Sequence, residues 1–231
     1  MPQNANSSND TLIASQPMPA DAHAISTRML GLMDPKSKQE ATVSKASEGM
    51  GDIFDRIAAG LYNMASMLVG EGEESIRLVE AAVANAEVSV CHNPVQARQS
   101  SRRVLGSAAL ELLAKRSAAS LASPAGLAPA SVCIEKDDLK AAGLAQEEFN
   151  RMIAGPERER VRSWLESLPI WMRTVFVLRA VAGLTAAETA ALLKSHGGPQ
   201  AAGWTTEAVS EVFRQGLCSL ASQLIQASAT R

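Results

Sequence analysis

Hydrophobic residues between positions 50 and 118 recur three and four residues apart, with charged and small polar residues between them. This is the period of one face of an amphipathic α-helix. Gly70-Glu71-Gly72 interrupts the pattern once, and Pro94 interrupts it again after a polar stretch. The spacing therefore predicts three helices, the first ending near Leu68, the second beginning at Glu73 and the third covering about Val95–Ala118.

The same period returns in the last third of the chain and predicts four further helices. Pro169 separates the first of these from the second, and Gly183 is placed to end the second as its C′ residue. Thr185, followed three residues later by Glu188, has the spacing of a capping box. We therefore expect a third helix over Ala186–Lys194.

A polar, glycine-rich loop over Ser195–Gly203 follows, with Trp204 expected to anchor it, and a fourth helix begins at Thr205 or Thr206. A capped short helix, a turn and a longer helix form the outline of a helix-turn-helix. The third helix would support the fourth, whose N-terminal part could then enter a major groove. The side chains of this domain expected to contact base edges or phosphates are Thr205, Thr206, Ser210, Arg214, Arg173, Arg179 and Lys194.

The remaining segments lack a helical period. Residues 1–48 contain no aromatic residue, so they bury too little surface to offset their ordering entropy, and we expect a disordered tail. A short helix over Ala22–Met33 is an open alternative there. Residues 119–155 are expected to form a flexible linker with short helices. The predicted fold class is all-α, with two small helical domains at 49–118 and 156–231.

Composition agrees with a helical protein: 46% of residues are hydrophobic, 3% are aromatic and the net charge is −2. That charge is not typical of a protein that coats nucleic acid non-specifically. Cys91, Cys133 and Cys218 are too few and too far apart for a disulfide scaffold or a metal site, so inert buried thiols are expected. With no apolar stretch long enough to span a bilayer and no signal peptide, we expect a cytoplasmic protein.

Charge is unevenly distributed in the N-terminal half. The segment Glu71–Glu87 carries five acids and one Arg, whereas Arg98–Arg116 carries five bases and one acid. Two solvated faces that pair with each other would explain this pattern. The alternative is a basic face for a phosphate backbone and an acidic face for a protein partner.

The C-terminal helices contain a long motif, Leu168-Pro169-x-x-x-Arg173-x-x-Phe176-Val177-Leu178-Arg179-x-x-x-Gly183-Leu184-Thr185-x-x-Glu188-x-Ala190-x-x-Leu193. It resembles the C-terminal domain of bacterial RNA polymerase sigma factors, above all the small extracytoplasmic-function type. The resemblance implies that the helix after Trp204 is the promoter recognition helix. It also implies core RNA polymerase and promoter DNA as partners, an anti-sigma protein as a possible regulator, and no cofactor.

The N-terminal half is similar to the other domain of such factors. The matching residues are Leu61-Tyr62-Asn63-Met64-Ala65-x-x-Leu68-x-Gly70 and then Glu74-x-x-x-Leu78-Val79-Glu80. In the family these helices dock on core polymerase. The resemblance therefore implies docking roles for Glu74, Leu78, Val79 and Glu80, and it directs the basic helix Arg98–Arg116 toward the minus-ten element.

The chain departs from the family pattern in three respects. Arg77 and Glu80 stand where the family usually has an acidic residue and a Gln. The loop before Trp204 is about nine residues longer than the tight turn of a helix-turn-helix. The fourth helix, over Thr205–Leu224, has one base, Arg214, against two acids, where the family has several bases to neutralise phosphates.

Two functions are therefore compatible with the sequence. The first is a sigma-factor-like transcription initiation protein that binds core RNA polymerase and promoter DNA. The second is a diverged sigma-like scaffold that has lost promoter recognition and acts through protein contacts. No glycine-rich phosphate loop, His-Glu metal pair or Ser-His-Asp pattern occurs, so an enzyme is not expected.

Overall fold

The computed structural model describes residues 44–85, 94–124 and 133–229. Most of the predicted disordered tail, with the alternative helix over Ala22–Met33, lies outside them. The described residues contain helices and no strand, which confirms the all-α class. None of their helices is long and apolar enough to cross a lipid bilayer.

The N-terminal helices are α1, Ser44–Val69, α2, Glu73–Ala84, and α3, Pro94–Arg116. Helix α1 begins before the boundary expected at residue 48, so the last positions of the predicted tail are helical. Gly70 and Gly72 join α1 to α2 with φ of +95° and +125°, a conformation that only glycine adopts without strain. The predicted starts of α2 and α3 are confirmed to within one residue.

The helices of the C-terminal part are α4, Gln146–Ala154; α5, Arg158–Ser167; α6, Ile170–Phe176; α7, Ala186–His196; and α8, Thr206–Ala229. A π-helical turn, Val177–Val181, continues α6. Short 3-10 helices lie at Ala118–Leu121, Leu139–Ala142 and Pro199–Gly203. The predicted Ala186 start of α7 is confirmed, and the helix extends two residues beyond the expected end.

Local signals in the sequence explain where α7 begins. Gly183 has a φ of +75°, which ends the preceding helical run in the left-handed region. The Thr185 hydroxyl accepts from the Glu188 backbone N–H at 3.2 Å, and the Thr185 backbone N–H donates to Glu188 Oε2 at 2.9 Å. This is the predicted capping box, and it satisfies two backbone N–H groups at the helix start.

Phe176 lies at the centre of the C-terminal core. Its ring centre is 4.9 Å from that of Trp164 in an edge-to-face arrangement and 5.3 Å from that of Phe213. A Cβ added to Gly216 would lie 2.8 Å from Phe176 Cδ2. Helix α8 therefore approaches α6 as closely as it does because residue 216 has no side chain.

The two predicted domains share one continuous hydrophobic cluster. Gly106 of α3 faces the π-helical turn and α7, since a Cβ there would lie 3.0 Å from Leu178 Cδ2 and 3.2 Å from Leu192 Cδ2. Arg103 of α3 forms an ion pair with Glu188 of α7. The halves are packed together in this conformation, and their division into two domains stays a prediction.

The described parts of the predicted linker, 119–124 and 133–155, pack against the rest of the fold in this conformation, and their flexibility stays a prediction. The short helices predicted there are present, but apolar side chains from 119–124 and 133–155 are buried in the shared core. These side chains are Leu121, Ile134, Leu139, Leu144, Phe149 and Ile153. Removing them from water stabilises the folded segment, which the Ala, Ser and Pro content alone did not indicate.

Candidate nucleic-acid interface

The start of α8 is open to solvent. Thr205 caps the helix, with its Oγ1 accepting from the Ala208 backbone N–H at 3.1 Å. Thr205, Thr206 and Glu207 are all exposed, and α7 packs against α8 behind them. The first turn of α8 can therefore be approached by a large partner.

The polypeptide before α8 is held by Trp204. The indole is fully buried, and its Nε1 donates to the Leu121 carbonyl oxygen at 2.9 Å. This confirms the expected anchor, and its acceptor lies in the 3-10 helix that follows α3. The long loop is compact, since Pro199–Gly203 forms a further 3-10 helix.

The next turns of α8 are covered by another part of the chain. We call residues Cys133–Asp138 the acidic strap, because three of its six residues are acidic. The Ser210 hydroxyl donates to Asp137 Oδ2 at 2.8 Å. Arg214 Nη1 donates to the Glu135 carbonyl oxygen at 3.3 Å. Two of the predicted DNA-contacting side chains are therefore engaged by the strap.

Arg179 also binds the strap. Its Nη2 donates to both Asp137 O and Asp137 Oδ2 at 2.9 Å, and its Nη1 donates to Leu184 O at 2.9 Å. Its guanidinium carbon lies 4.9 Å from the centre of the Phe213 ring. The side chain is only 14% exposed. In this conformation Arg179 holds α6, the strap and α8 together rather than facing an open surface.

Arg173 lies on a different side of the domain. Burial lowers the pKa of its guanidinium, Glu166 opposes that shift, and nearby Arg116 adds to it. Its Nε is buried without a hydrogen-bond partner among the described residues. Arg173 therefore faces the end of α3 and not the strap.

Lys194 is exposed near the start of α8. The pKa of Glu207 is lowered first by a hydrogen bond from its own backbone N–H, then by one from Thr205, and also by the charge of Lys194. Arg173, Arg179, Lys194 and Arg214 thus do not converge on one face. The structure brings Arg179, Ser210 and Arg214 together at the strap, and Lys194 together with the first turn of α8.

The acidic residues of α8 reduce its positive potential. Glu211 forms an ion pair with Arg214 one turn further along the helix. Gln215 Nε2 also donates to Glu211 Oε1 at 3.3 Å. The one base of this helix is therefore neutralised within the helix itself, besides its hydrogen bond to the strap.

A cavity of about 240 Å³ opens beside the strap. Its polar lining comes from the strap, α4, the π-helical turn and the cap of α7, and Phe213 closes one side. The lining side chains include Asp137, Asp138, Gln146, Arg179, Thr185 and Phe213. Both Nη atoms of Arg179 already donate to acceptors within the protein, so the guanidinium at the cavity is held by the chain itself.

The residues expected to dock on polymerase divide into two groups. Leu78 and Val79 are buried in the core, so their side chains are not available to a partner in this conformation. Glu74 is exposed and forms an ion pair with Arg116 of α3, and Glu80 is half-buried. The sequence indicated the burial of Val79, because this residue belongs to the apolar stripe of α2 as well as to the docking motif.

The strap is the part of the site that no pattern in the sequence predicts. Its charged run, Glu135-Lys136-Asp137-Asp138, directly follows the apolar Ile134. Ile134 is buried and so fixes the strap on the domain, which lets Asp137 reach α8. An apolar residue next to a charged run was the available signal, but it does not indicate which helix the run covers.

Comparison of the chain with family models, with curated proteins and with solved structures gives no match. The resemblance to sigma factors therefore depends on the motif residues themselves.

Proposed function

We propose that this protein is a sigma-factor-like transcription initiation protein that binds core RNA polymerase and promoter DNA. The observation that carries the proposal is the arrangement of α7 and α8. A capping box starts α7 at the expected residue, α7 packs behind α8, and the exposed Thr205–Glu207 turn begins the helix assigned to recognition. The proposal takes α7 and α8 as a helix-turn-helix, a motif that presents the N-terminal part of its second helix to the major groove.

DNA binding by the following turns of α8 requires the strap to move. Ser210 and Arg214 donate to the strap, and the carboxylate of Asp137 occupies the place where a phosphate oxygen would accept. A phosphate cannot approach this carboxylate without repulsion. The open first turn, with Lys194 beside it, would make the first contact, and the remaining contacts would follow the release of the strap.

Docking on polymerase would use the exposed face of α2. Glu73, Glu74 and Arg77 are exposed there, and Glu74 pairs with Arg116. Leu78 and Val79 would contact polymerase only after α2 had separated from the core. Their proposed role is therefore to hold α2 in place.

The direct test is run-off transcription by the full chain with purified core RNA polymerase on genomic promoter fragments. Promoter-dependent transcripts are expected. Thr206→Asp places a negative charge at the start of α8, where it favours the helix but repels phosphates. We expect it to lower promoter affinity by about five- to tenfold.

Gln223→Asp is the matched control, because Gln223 is exposed in the last turns of the same helix. It adds the same charge far from the proposed contact and should leave promoter affinity unchanged. If the chain neither co-purifies with core polymerase nor supports transcription, the proposal is wrong. An equal loss of promoter affinity in both variants would show that DNA does not bind at the first turn of α8.

A sigma-like scaffold without promoter recognition is the second candidate. The observation that favours it is the engagement of Arg214 by both Glu211 and Glu135, which leaves α8 little free positive charge. A scaffold would co-purify with core polymerase but would not retain promoter fragments at low salt. The same purified complex therefore distinguishes the two functions.

A further inference from the structure

The strap runs antiparallel to α8 in a regular register. Asp137 contacts Ser210, and Glu135, two residues earlier in the strap, contacts Arg214, four residues later in the helix. Each step therefore pairs two residues of the strap with four residues of the helix, which rise about 6 Å. One further step places Cys133 opposite Cys218.

The pKa of Cys218 reflects this placement: it is raised first by burial and then by the neighbouring Cys133 thiol. Both cysteines are free in this structure, with Cys133 exposed and Cys218 half-buried. The expectation of buried thiols is therefore wrong for Cys133. Cys91 lies outside the described residues.

We propose that Cys133 and Cys218 form a reversible disulfide that locks the acidic strap onto α8. The register set by the Ser210–Asp137 and Arg214–Glu135 hydrogen bonds places the two cysteines opposite each other. The buried side chain of Ile134 holds the backbone next to Cys133 against the domain. The dithiol is thus a redox site built from two segments that are far apart in the sequence.

The oxidant is hydrogen peroxide. The Cys133 thiolate attacks the peroxide, gains one oxygen as a sulfenic acid and releases water after protonation. The Cys218 sulfur then attacks the Cys133 sulfur, and a second water leaves as the disulfide forms. Two thiols and one peroxide give one disulfide and two waters, and a dithiol reductant reverses the change.

The surroundings of the two thiols determine which of them reacts first with the peroxide. Burial, followed by the neighbouring Cys133, raises the pKa of Cys218 to about 11, so Cys218 is protonated at neutral pH and is slow to attack a peroxide. Cys133 is exposed and meets the oxidant first. Cys218 then acts as the resolving thiol, losing its proton as it attacks.

A locked strap would keep Ser210 and Arg214 from DNA, and this consequence rests on the proposed function. The lock itself can be tested without DNA. Lys136 is exposed within the strap, and trypsin cleaves after it only when the strap opens locally. A disulfide at Cys133, three residues before Lys136, should therefore lower the rate of tryptic cleavage at Lys136.

The experiment oxidises the full chain with hydrogen peroxide and maps its peptides by mass spectrometry. We expect a peptide pair that joins Cys133 to Cys218 and that dithiothreitol separates, with a cleavage rate at Lys136 about tenfold lower in the oxidised protein. Cys133→Ser and Cys218→Ser should each abolish both effects. Cys91→Ser should change neither.

Failure of the lock and failure of the proposed function can be distinguished. Two results would contradict the proposed lock. One is oxidation of Cys133 to sulfinic acid without a peptide pair joined to Cys218. The other is a joined peptide pair with no decrease in the rate of cleavage at Lys136. If the joined peptide and the protection appear while promoter affinity is the same before and after oxidation, the lock stands. The role of Ser210 and Arg214 in DNA binding is then wrong.

Discussion

The Ser210 hydroxyl donates a 2.8 Å hydrogen bond to Asp137 Oδ2 across 73 residues of sequence. The same carboxylate oxygen accepts from Arg179 at 2.9 Å. A single side chain of the strap therefore joins α8 to the π-helical turn that follows α6. This carboxylate is the point at which the strap can be released by substitution.

Asp137→Asn should release the strap from α8. The amide retains the shape of the side chain but loses the charge that holds Arg179 and Ser210, and hydrogen bonds to charged groups contribute about 1.5–3 kcal/mol. We expect faster tryptic cleavage at Lys136 and a promoter affinity at least fivefold higher. Limited proteolysis and fluorescence anisotropy with labelled promoter DNA measure the two effects.

Asp138→Asn is the matched control for this change. Asp138 carries the same charge in the next position, but its carboxylate accepts from the Ala141 backbone N–H at 2.7 Å and caps a 3-10 helix. If both variants raise promoter affinity equally, then the gain comes from reduced repulsion of DNA. The strap would then not be a barrier.

Arg179→Lys should destabilise the protein although the charge is kept. An ammonium group cannot donate simultaneously to Leu184 O, to the carbonyl oxygen of Asp137 and to Asp137 Oδ2 in the planar geometry of a guanidinium. With the Arg179 side chain only 14% exposed, we expect the free energy of unfolding to fall by about 2 kcal/mol. Urea unfolding followed by circular dichroism measures it.

Arg160→Lys provides the comparison, because Arg160 pairs with Glu157 at 2.9 Å on an exposed part of α5. Its replacement should change the free energy of unfolding by less than about 0.5 kcal/mol. Unchanged stability of Arg179→Lys together with weaker promoter binding would contradict the structural role. That result would instead support the DNA contact that the sequence predicts for Arg179.

Local signals carried most of what the sequence predicted correctly. The capping box of Thr185 and Glu188 and the left-handed Gly183 act over a few residues, so they fix the start of α7 without knowledge of the rest of the fold. The spacing of apolar residues likewise identified the helices. These features could be predicted because their causes lie within one or two helical turns.

The strap could not be predicted in the same way. Asp137 meets Arg179 and Ser210 only after two distant segments have packed, and no periodic pattern encodes that partnership. An Arg whose charge is neutralised by the fold has the same sequence signature as an Arg that contacts phosphate. The sequence therefore predicts a DNA contact at Arg179, and it gives no sign that Cys133 and Cys218 lie opposite each other.

Gly216→Ala should destabilise the core where α8 meets α6. The added Cβ would lie 2.8 Å from Phe176 Cδ2, and the buried ring is confined by Trp164 and Phe213. Overpacking of this kind costs about 1–3 kcal/mol of the free energy of unfolding. Thermal and urea unfolding of the variant measure the loss.

Gly60→Ala tests the same substitution in a helix that has room for it. Nothing lies within 4 Å of a Cβ at position 60 in α1, so the change should raise the free energy of unfolding by about 0.5–1 kcal/mol. A loss of stability at both positions would mean that α1 is also tightly packed there. A neutral result at Gly216 would contradict the close approach of α8 to Phe176.

Glu188→Gln should reveal a pH-dependent contribution to stability. Hydrogen bonds from the Thr185 backbone and hydroxyl, and then the charge of Arg103, hold the pKa of Glu188 below its ordinary value of 4.5. The folded state therefore favours the ionised carboxylate. Its contribution is fully present above the unfolded-state pKa and is lost as pH falls through the lower folded-state pKa.

Urea unfolding of Glu188→Gln and the unaltered chain between pH 7 and pH 3 measures this contribution. Glutamine can still complete a capping box, so the free energies of unfolding should differ at pH 7 by about 0.5–1 kcal/mol and converge as pH falls. In a Thr185→Ala background the difference at pH 7 should shrink, because one donor to Glu188 Oε2 is gone. A difference that is constant with pH would show that the charge of Glu188 does not stabilise the junction between α3 and α7.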